Sequence, residues 1–216
     1  MEFLTNLLDA EYYLFDVWGY PLSFLEIAAT VTGLLSVWYA SRANVLTWPI
    51  GIANEFFFFV LFFQVHLYSD MILQVFFFIV SVMGWANWYS KTKKSVVVSK
   101  LNRVTLGYAL VILIVGTLGL GRFMSQIHQF LPQWFSVAAA SPYADAFTTV
   151  ASIMAIILQA RKKIDSWYFR IAVDVVAIIL YIDRSIYLIA LEFFIFLIMC
   201  IYGYIFWVKQ RNEAIA

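Results

Sequence analysis

Charge is scarce in this chain. Only 12% of its 216 residues are Asp, Glu, Lys or Arg, and an ordinary soluble domain carries about 25%, so there is too little polar surface to coat a water-soluble globule. Cysteine is nearly absent: Cys200 stands alone inside an apolar run, which excludes a disulfide framework and a cysteine-rich metal site. The two histidines, His66 and His128, lie in segments between apolar runs and form no metal-ligating pair. A net charge of +1 gives no footprint for nucleic acid. No Gly-Lys phosphate loop is present, so neither ATP coupling nor any bound cofactor is expected. Residues 1–21 contain no Lys or Arg and therefore lack the basic region of a secretory signal.

Apolar length is what the chain has in quantity. With 64% apolar and 19% aromatic residues and a mean hydropathy of +0.86, it reads as an all-α polytopic membrane protein. Segments 23–40, 46–63, 69–90, 104–121, 143–160, 167–182 and 185–207 predict seven transmembrane helices. Several fall short of the ~20-residue ideal and need flanking aromatics, Lys and Arg to complete the span. With the N-terminus outside and the C-terminus in the cytoplasm, the inner side receives Arg42, Lys91, Lys93, Lys94, Lys100, Arg103, Arg161, Lys162, Lys163, Lys209 and Arg211. The outer side keeps only Arg122 and Arg184, as the positive-inside rule asks. One crossing more or fewer would scatter these loops to both sides.

An ungapped shift of 119 residues aligns the chain with itself: Arg42 with Arg161, Trp48 with Trp167, Ile52 with Ile171, Tyr68 with Tyr187, Gly84 with Gly203 and Trp88 with Trp207. Aligned positions are four crossings apart, so the two halves run in the same direction, a transporter design with the site near mid-membrane. The predicted organisation is an interfacial leader over 1–22, a first three-helix repeat over 23–90 and a linker over 91–142 with a joining helix at 104–121. A second repeat over 143–208 and a tail over 209–216 complete it.

Ionisable residues inside the predicted spans mark the function. At a bilayer centre such a group costs at least ~2.5–3.5 kcal/mol on insertion scales, so it turns toward the bundle interior or a wet cavity. Trp167, Arg170 and Asp174 share one helix face at i, i+3 and i+7, and Trp48, Gly51 and Glu55 are their first-half counterparts. The duplication predicts that both sets serve one cavity, where rings and carboxylates offset a solute cation. Asn54 and Gln74 offer directional hydrogen bonds, and Glu26 and Glu192 are further intramembrane acids.

Plainer roles compete for several of these residues. Arg170 and Asp174, at i and i+4, can neutralise one another, or Arg170 can lock onto Glu55. Trp85, Trp88 and Trp207 near span ends fit an aromatic belt. Gly33, Gly84, Gly107, Gly116 and Gly203 fit close helix approach. Among rival classes, a retinal protein would need a lysine in the middle of the last helix, where only Lys209 stands, at its end. An intramembrane enzyme using Glu55 and Asp174 as an acid pair leaves the duplication unexplained.

The stretches Trp48-Pro49-Ile50-Gly51-Ile52-Ala53-Asn54, Leu67 to Phe78 and Gly84-Trp85 resemble the Pnu family of bacterial vitamin transporters, and the likeness covers roughly residues 22–210. The resemblance implies a three-plus-one-plus-three fold like that of the SWEET carriers and a homotrimer in the bacterial inner membrane. It also implies facilitated diffusion by alternating access, with the solute trapped inside by phosphorylation. The branch that carries nicotinamide riboside has Trp-x-x-Trp-x-x-x-Asn in its sixth helix. Here those positions read Trp167, Arg170 and Asp174. The added charges point to the thiamine-carrying branch, since thiazolium is a fixed cation and aminopyrimidine presents a donor and acceptor edge. Nicotinamide riboside and then riboflavin are the alternatives. The expected substrate-binding set is Trp48, Asn54, Glu55, Gln74, Trp167, Arg170, Asp174 and Glu192.

Overall fold

The computed structural model describes residues 8–10, 12–17, 20–64, 68–91, 98–130, 140–184 and 186–214. His66 and the inner-loop lysines Lys93 and Lys94 lie outside the described residues, as does the side chain of His128. The expected leader contains an antiparallel hairpin of β1 (Tyr13–Val17) and β2 (Tyr20–Ser23), with Val17 opposite Tyr20 and Asp16 opposite Pro21. Aromatic and branched residues favour extended backbone here, and Pro21 is tolerated because a two-stranded sheet has only edges.

Seven helices follow among the described residues: α1 (Phe24–Ser41), α2 (Thr47–Gln64), α3 (Tyr68–Lys91), α4 (Arg103–Phe130), α5 (Pro142–Ala160), α6 (Ser166–Asp183) and α7 (Tyr187–Glu213). Five of them, α1, α3, α4, α5 and α7, are long and apolar enough to cross a membrane. The other two, α2 and α6, carry Asn54 and Glu55, and Arg170 and Asp174. Helix α4 extends well past the expected limit at 121, and α7 continues through most of the expected tail.

The chain divides into two compact units, residues 1–96 and 97–216. In the first, β2 and α2 pack on α1, and α3 packs on α2. A capping box starts α1: the Ser23 amide donates to Glu26 Oε2 at 2.8 Å and the Glu26 amide to Ser23 Oγ at 3.3 Å. At the far end of α2, Gln64 Nε2 donates to the Leu8 carbonyl at 2.6 Å and its Oε1 accepts from the Ala10 amide at 2.8 Å. One side chain thereby ties residues 8–10 to α2.

In the second unit, successive helices from α4 to α7 pack on one another. Ala109, Ala151, Ala155, Phe169 and Val173 form a core from three helices. Gly116 of α4 fits the expected close approach, against Val150, and Gly121, outside the expected set, lies against the Tyr143 ring. Gly107 does not, having nothing within 4 Å of where its Cβ would be.

The 119-residue register recurs in the backbone. Helices α2 and α6 span equivalent residues, and α3 and α7 begin at equivalent residues. The turn before α2 places Ala43 at φ 52°, and the turn before α6 places Lys162 at φ 52°. In the first turn Ala43 N donates to Ala40 O and Asn44 N to Tyr39 O; in the second Lys162 N donates to Gln159 O and Lys163 N to Leu158 O. Each turn holds a non-glycine residue in left-handed backbone, at a cost of roughly 1–2 kcal/mol, to satisfy the last carbonyls of the preceding helix.

Candidate substrate site

Helix α2 sets Trp48 and Glu55 two turns apart on one face, and both are buried. Helix α3 answers with Ser81, Gly84 and Trp88, at i, i+3 and i+7. Ser81 Oγ donates to Glu55 Oε1 at 2.6 Å. Trp88 meets Trp48 edge to face, ring centroids 5.3 Å apart and planes at 85°, a favoured aromatic geometry. Gly84 lies beneath the Trp48 ring, where a Cβ would come to 2.5 Å of it. Two polar atoms of this set are buried without a hydrogen-bond partner, Trp48 Nε1 and Glu55 Oε2.

Helices α6 and α7 repeat the arrangement. Trp167 and Asp174 are buried on α6, and Trp207 meets Trp167 edge to face at 5.5 Å and 89°. The Cys200 thiol faces the Asp174 carboxylate as a weak donor, in the place that Ser81 holds opposite Glu55. Trp167 Nε1 and Asp174 Oδ2 are buried and unpartnered. An unmet buried polar group costs about 1–3 kcal/mol, and here the same two kinds of atom are left open in both units. Buried polar groups are normally met by protein, by water or by a ligand.

Arg170 breaks the likeness. It is half-buried, its Nε is buried without a partner, and its charge acts on Asp174 one turn along. Among the described residues the ion pairs are Arg184 with Asp145 at 3.1 Å and Lys209 with Glu213 at 3.9 Å, so the expected neutralisation of Arg170 by Asp174 operates through space rather than by contact.

Other expected residues are placed differently. Asn54 Nδ2 donates to the Ala29 carbonyl at 2.6 Å, which spends its amide on joining α2 to α1. Gln74 and Glu192 are half-buried, two turns before Ser81 and Cys200 on their helices. Glu26, read from sequence as a further intramembrane acid, lies in the first turn of the candidate span α1 and is the capping partner of Ser23. The Ser-x-x-Glu spacing before an apolar run was the available signal. Trp88 and Trp207 are not belt residues: they are 1% and 0% exposed and close the two indole pairs, whereas Trp85, at 41%, fits a belt. Neither Ser81 nor Cys200 was read from the sequence as a partner of the buried carboxylates, although the repeat register pairs them with each other.

A groove at the end of α7, lined by Tyr202, Phe206, Lys209 and Glu213, contains none of the expected site residues. Among the described residues, no cluster of three His, Cys, Asp or Glu is placed to hold a metal ion.

The family model described as nicotinamide mononucleotide transporter matches residues 23–209. The nicotinamide riboside transporter PnuC of Escherichia coli (strain K12) is 27% identical over 213 residues, covering 90% of this chain and 89% of that protein. The nicotinamide riboside transporter PnuC of Neisseria mucosa is 24% identical over 202 residues, covering 88% and 73%. A crystal structure of the vitamin B3 transporter PnuC matches with a TM-score of 0.66 and 22% identity, over 88% of this chain and 83% of that one. The last likeness is one of fold.

Proposed function

The chain belongs to the nicotinamide mononucleotide transporter family, and from that premise we propose that this multi-pass membrane transporter carries nicotinamide riboside into the bacterial cell across the inner membrane. The observation that carries the reading is the duplicated set of a buried indole and a buried carboxylate, each with one polar atom open, on the equivalent helices α2 and α6. The names of the similar transporters supply the substrate. Thiamine, expected from the added charges, gives way: a pyridinium glycoside is also a ring cation, so Glu55 and Asp174 answer to it equally well.

The proposed contacts are Trp48 and Glu55 in the first unit and Trp167, Arg170 and Asp174 in the second. Asn54, Gln74 and Glu192 are secondary. Indole faces stabilise a desolvated ring cation by ~0.5–2 kcal/mol each, and the carboxylates offset the loss of its hydration. All seven helices cross in this reading, with the N-terminus outside, the C-terminus inside and two parallel three-helix repeats joined by α4. The carrier works as a homotrimer by facilitated alternating access, and intracellular phosphorylation traps the solute.

Tryptophan fluorescence of purified protein titrated with nicotinamide riboside, thiamine and riboflavin tests the substrate. A saturable response to nicotinamide riboside alone is expected. A response to thiamine alone overturns the reading and restores the thiamine branch.

A further inference from the structure

The two site-bearing helices agree in type at Trp48 and Trp167 and at Glu55 and Asp174, and their neighbours agree at Ser81 and Cys200 and at Trp88 and Trp207. One position on the shared face differs in kind: Gly51 in the first unit, Arg170 in the second. The surroundings differ with it. A Cβ at Gly51 would lie 3.2 Å from Ser36 Oγ, so α1 closes over that position. The equivalent of Ser36 on α5 is Ala155, which has no hydroxyl. The second unit thus holds a guanidinium where the first holds none, and its buried Nε–H has no acceptor. One turn on, Asp174 Oδ2 is buried with no donor.

A donor that needs an acceptor and an acceptor that needs a donor, at i and i+4 on one helix face, fit a planar group that carries both. A carboxylate on the solute would satisfy Arg170 but would meet Asp174 as a like charge. An ammonium would do the reverse. Resting on the substrate reading above, we infer that Arg170 and Asp174 read the solute's carboxamide: the guanidinium donates to the amide oxygen, and the open carboxylate oxygen accepts from the amide NH2. The pair therefore selects the amide form of the vitamin over the acid form, and it does so from one unit only.

Equilibrium binding of nicotinamide riboside and of its carboxylate analogue, nicotinate riboside, tests this in the intact protein and in Arg170→Gln, Arg170→Lys and Asp174→Asn. The unaltered protein should prefer the amide by roughly ten- to hundredfold, the worth of a charge-assisted hydrogen bond. Arg170→Gln should weaken amide binding by a similar factor, with partial rescue in Arg170→Lys. Asp174→Asn should bring the acid toward parity with the amide, a change of selectivity that a merely damaged fold does not produce. Glu55→Gln, in the first unit, should lower both affinities together. Equal binding of acid and amide by the unaltered protein overturns the inference, as does amide binding indifferent to Arg170. In either case nicotinamide riboside still binds and the substrate reading stands; failure to bind it at all sinks both. Should Arg170→Gln not yield folded protein, the selectivity of Asp174→Asn decides.

Discussion

The two units share a register and a set of buried pairs, yet the turns before α2 and α6 are dressed differently. The turn before α2 leaves Asn44 and Leu46 exposed. The equivalent turn before α6 buries Ile164 and Asp165, because residues 98–101 run along it. Ser99 N donates to Lys162 O at 3.1 Å, Ile164 N to Ser99 O at 2.9 Å, Leu101 N to Asp165 Oδ2 at 2.7 Å and Lys163 Nζ to Ser99 Oγ at 2.8 Å. Among the described residues the first turn has no such strap. Its backbone is held by the local bonds of the turn and by a reciprocal pair, in which Thr47 Oγ1 donates to Ser36 O at 2.9 Å and Ser36 Oγ to Thr47 O at 3.0 Å. One backbone plan is therefore secured in two ways, by helix-to-helix hydroxyls in the first unit and by the linker in the second.

The comparison breaks most visibly if the indole pairs are not equivalent. Trp88→Ala and Trp207→Ala should each cost about 3–5 kcal/mol, the usual penalty for emptying a buried aromatic site, read as matching losses in thermal unfolding in detergent. A large effect from one and none from the other would mean that only one pair is structural. Asp165→Ala strips the Leu101 amide of its acceptor and should cost about 1–3 kcal/mol. Leu46→Asp, which places the same acid in the unstrapped turn, should gain nothing. Gly84→Ala drives a methyl into the Trp48 ring and should destabilise by about 1–3 kcal/mol, detectable as a lowered midpoint and altered indole emission. Cys200→Ser, which makes the second unit copy the first, should shift stability by less than about 1 kcal/mol, while Ser81→Ala should cost more, because it strands Glu55. Smallest is Gly107→Ala, where open space surrounds the added methyl: a gain of about 0.5–1 kcal/mol is expected from lower chain entropy in the unfolded state.

Much of this was legible in the residues themselves. Helices α2 and α6 lie within a residue of their expected bounds, because polar turn residues and basic clusters mark where apolar runs stop. The repeat was legible because Arg, Trp, Tyr and Gly are rare enough at fixed spacing to stand out from apolar noise. The hairpin before α1 was not: Tyr13 to Ser23 is as aromatic as an interfacial segment, and cross-strand pairing leaves little trace in a run this short. Trp88 and Trp207 were misread because position along a span does not reveal which way a ring points, and only the partner helix decides that. The capping role of Glu26 was missed for the opposite reason, since its local signal was present and the apolar context outweighed it. Thiamine followed from counting charges at Arg170 and Asp174, and a count of charges does not separate one ring cation from another.

Gln64 imitates a peptide group toward Leu8 and Ala10, so the chain's first described residues are moored to the helix that bears Trp48 and Glu55. Any tilt of that helix during a transport cycle must drag its mooring along. A reporter dye attached near Tyr12 would then register motion of that helix from a position several turns away, without altering any of the proposed contact residues.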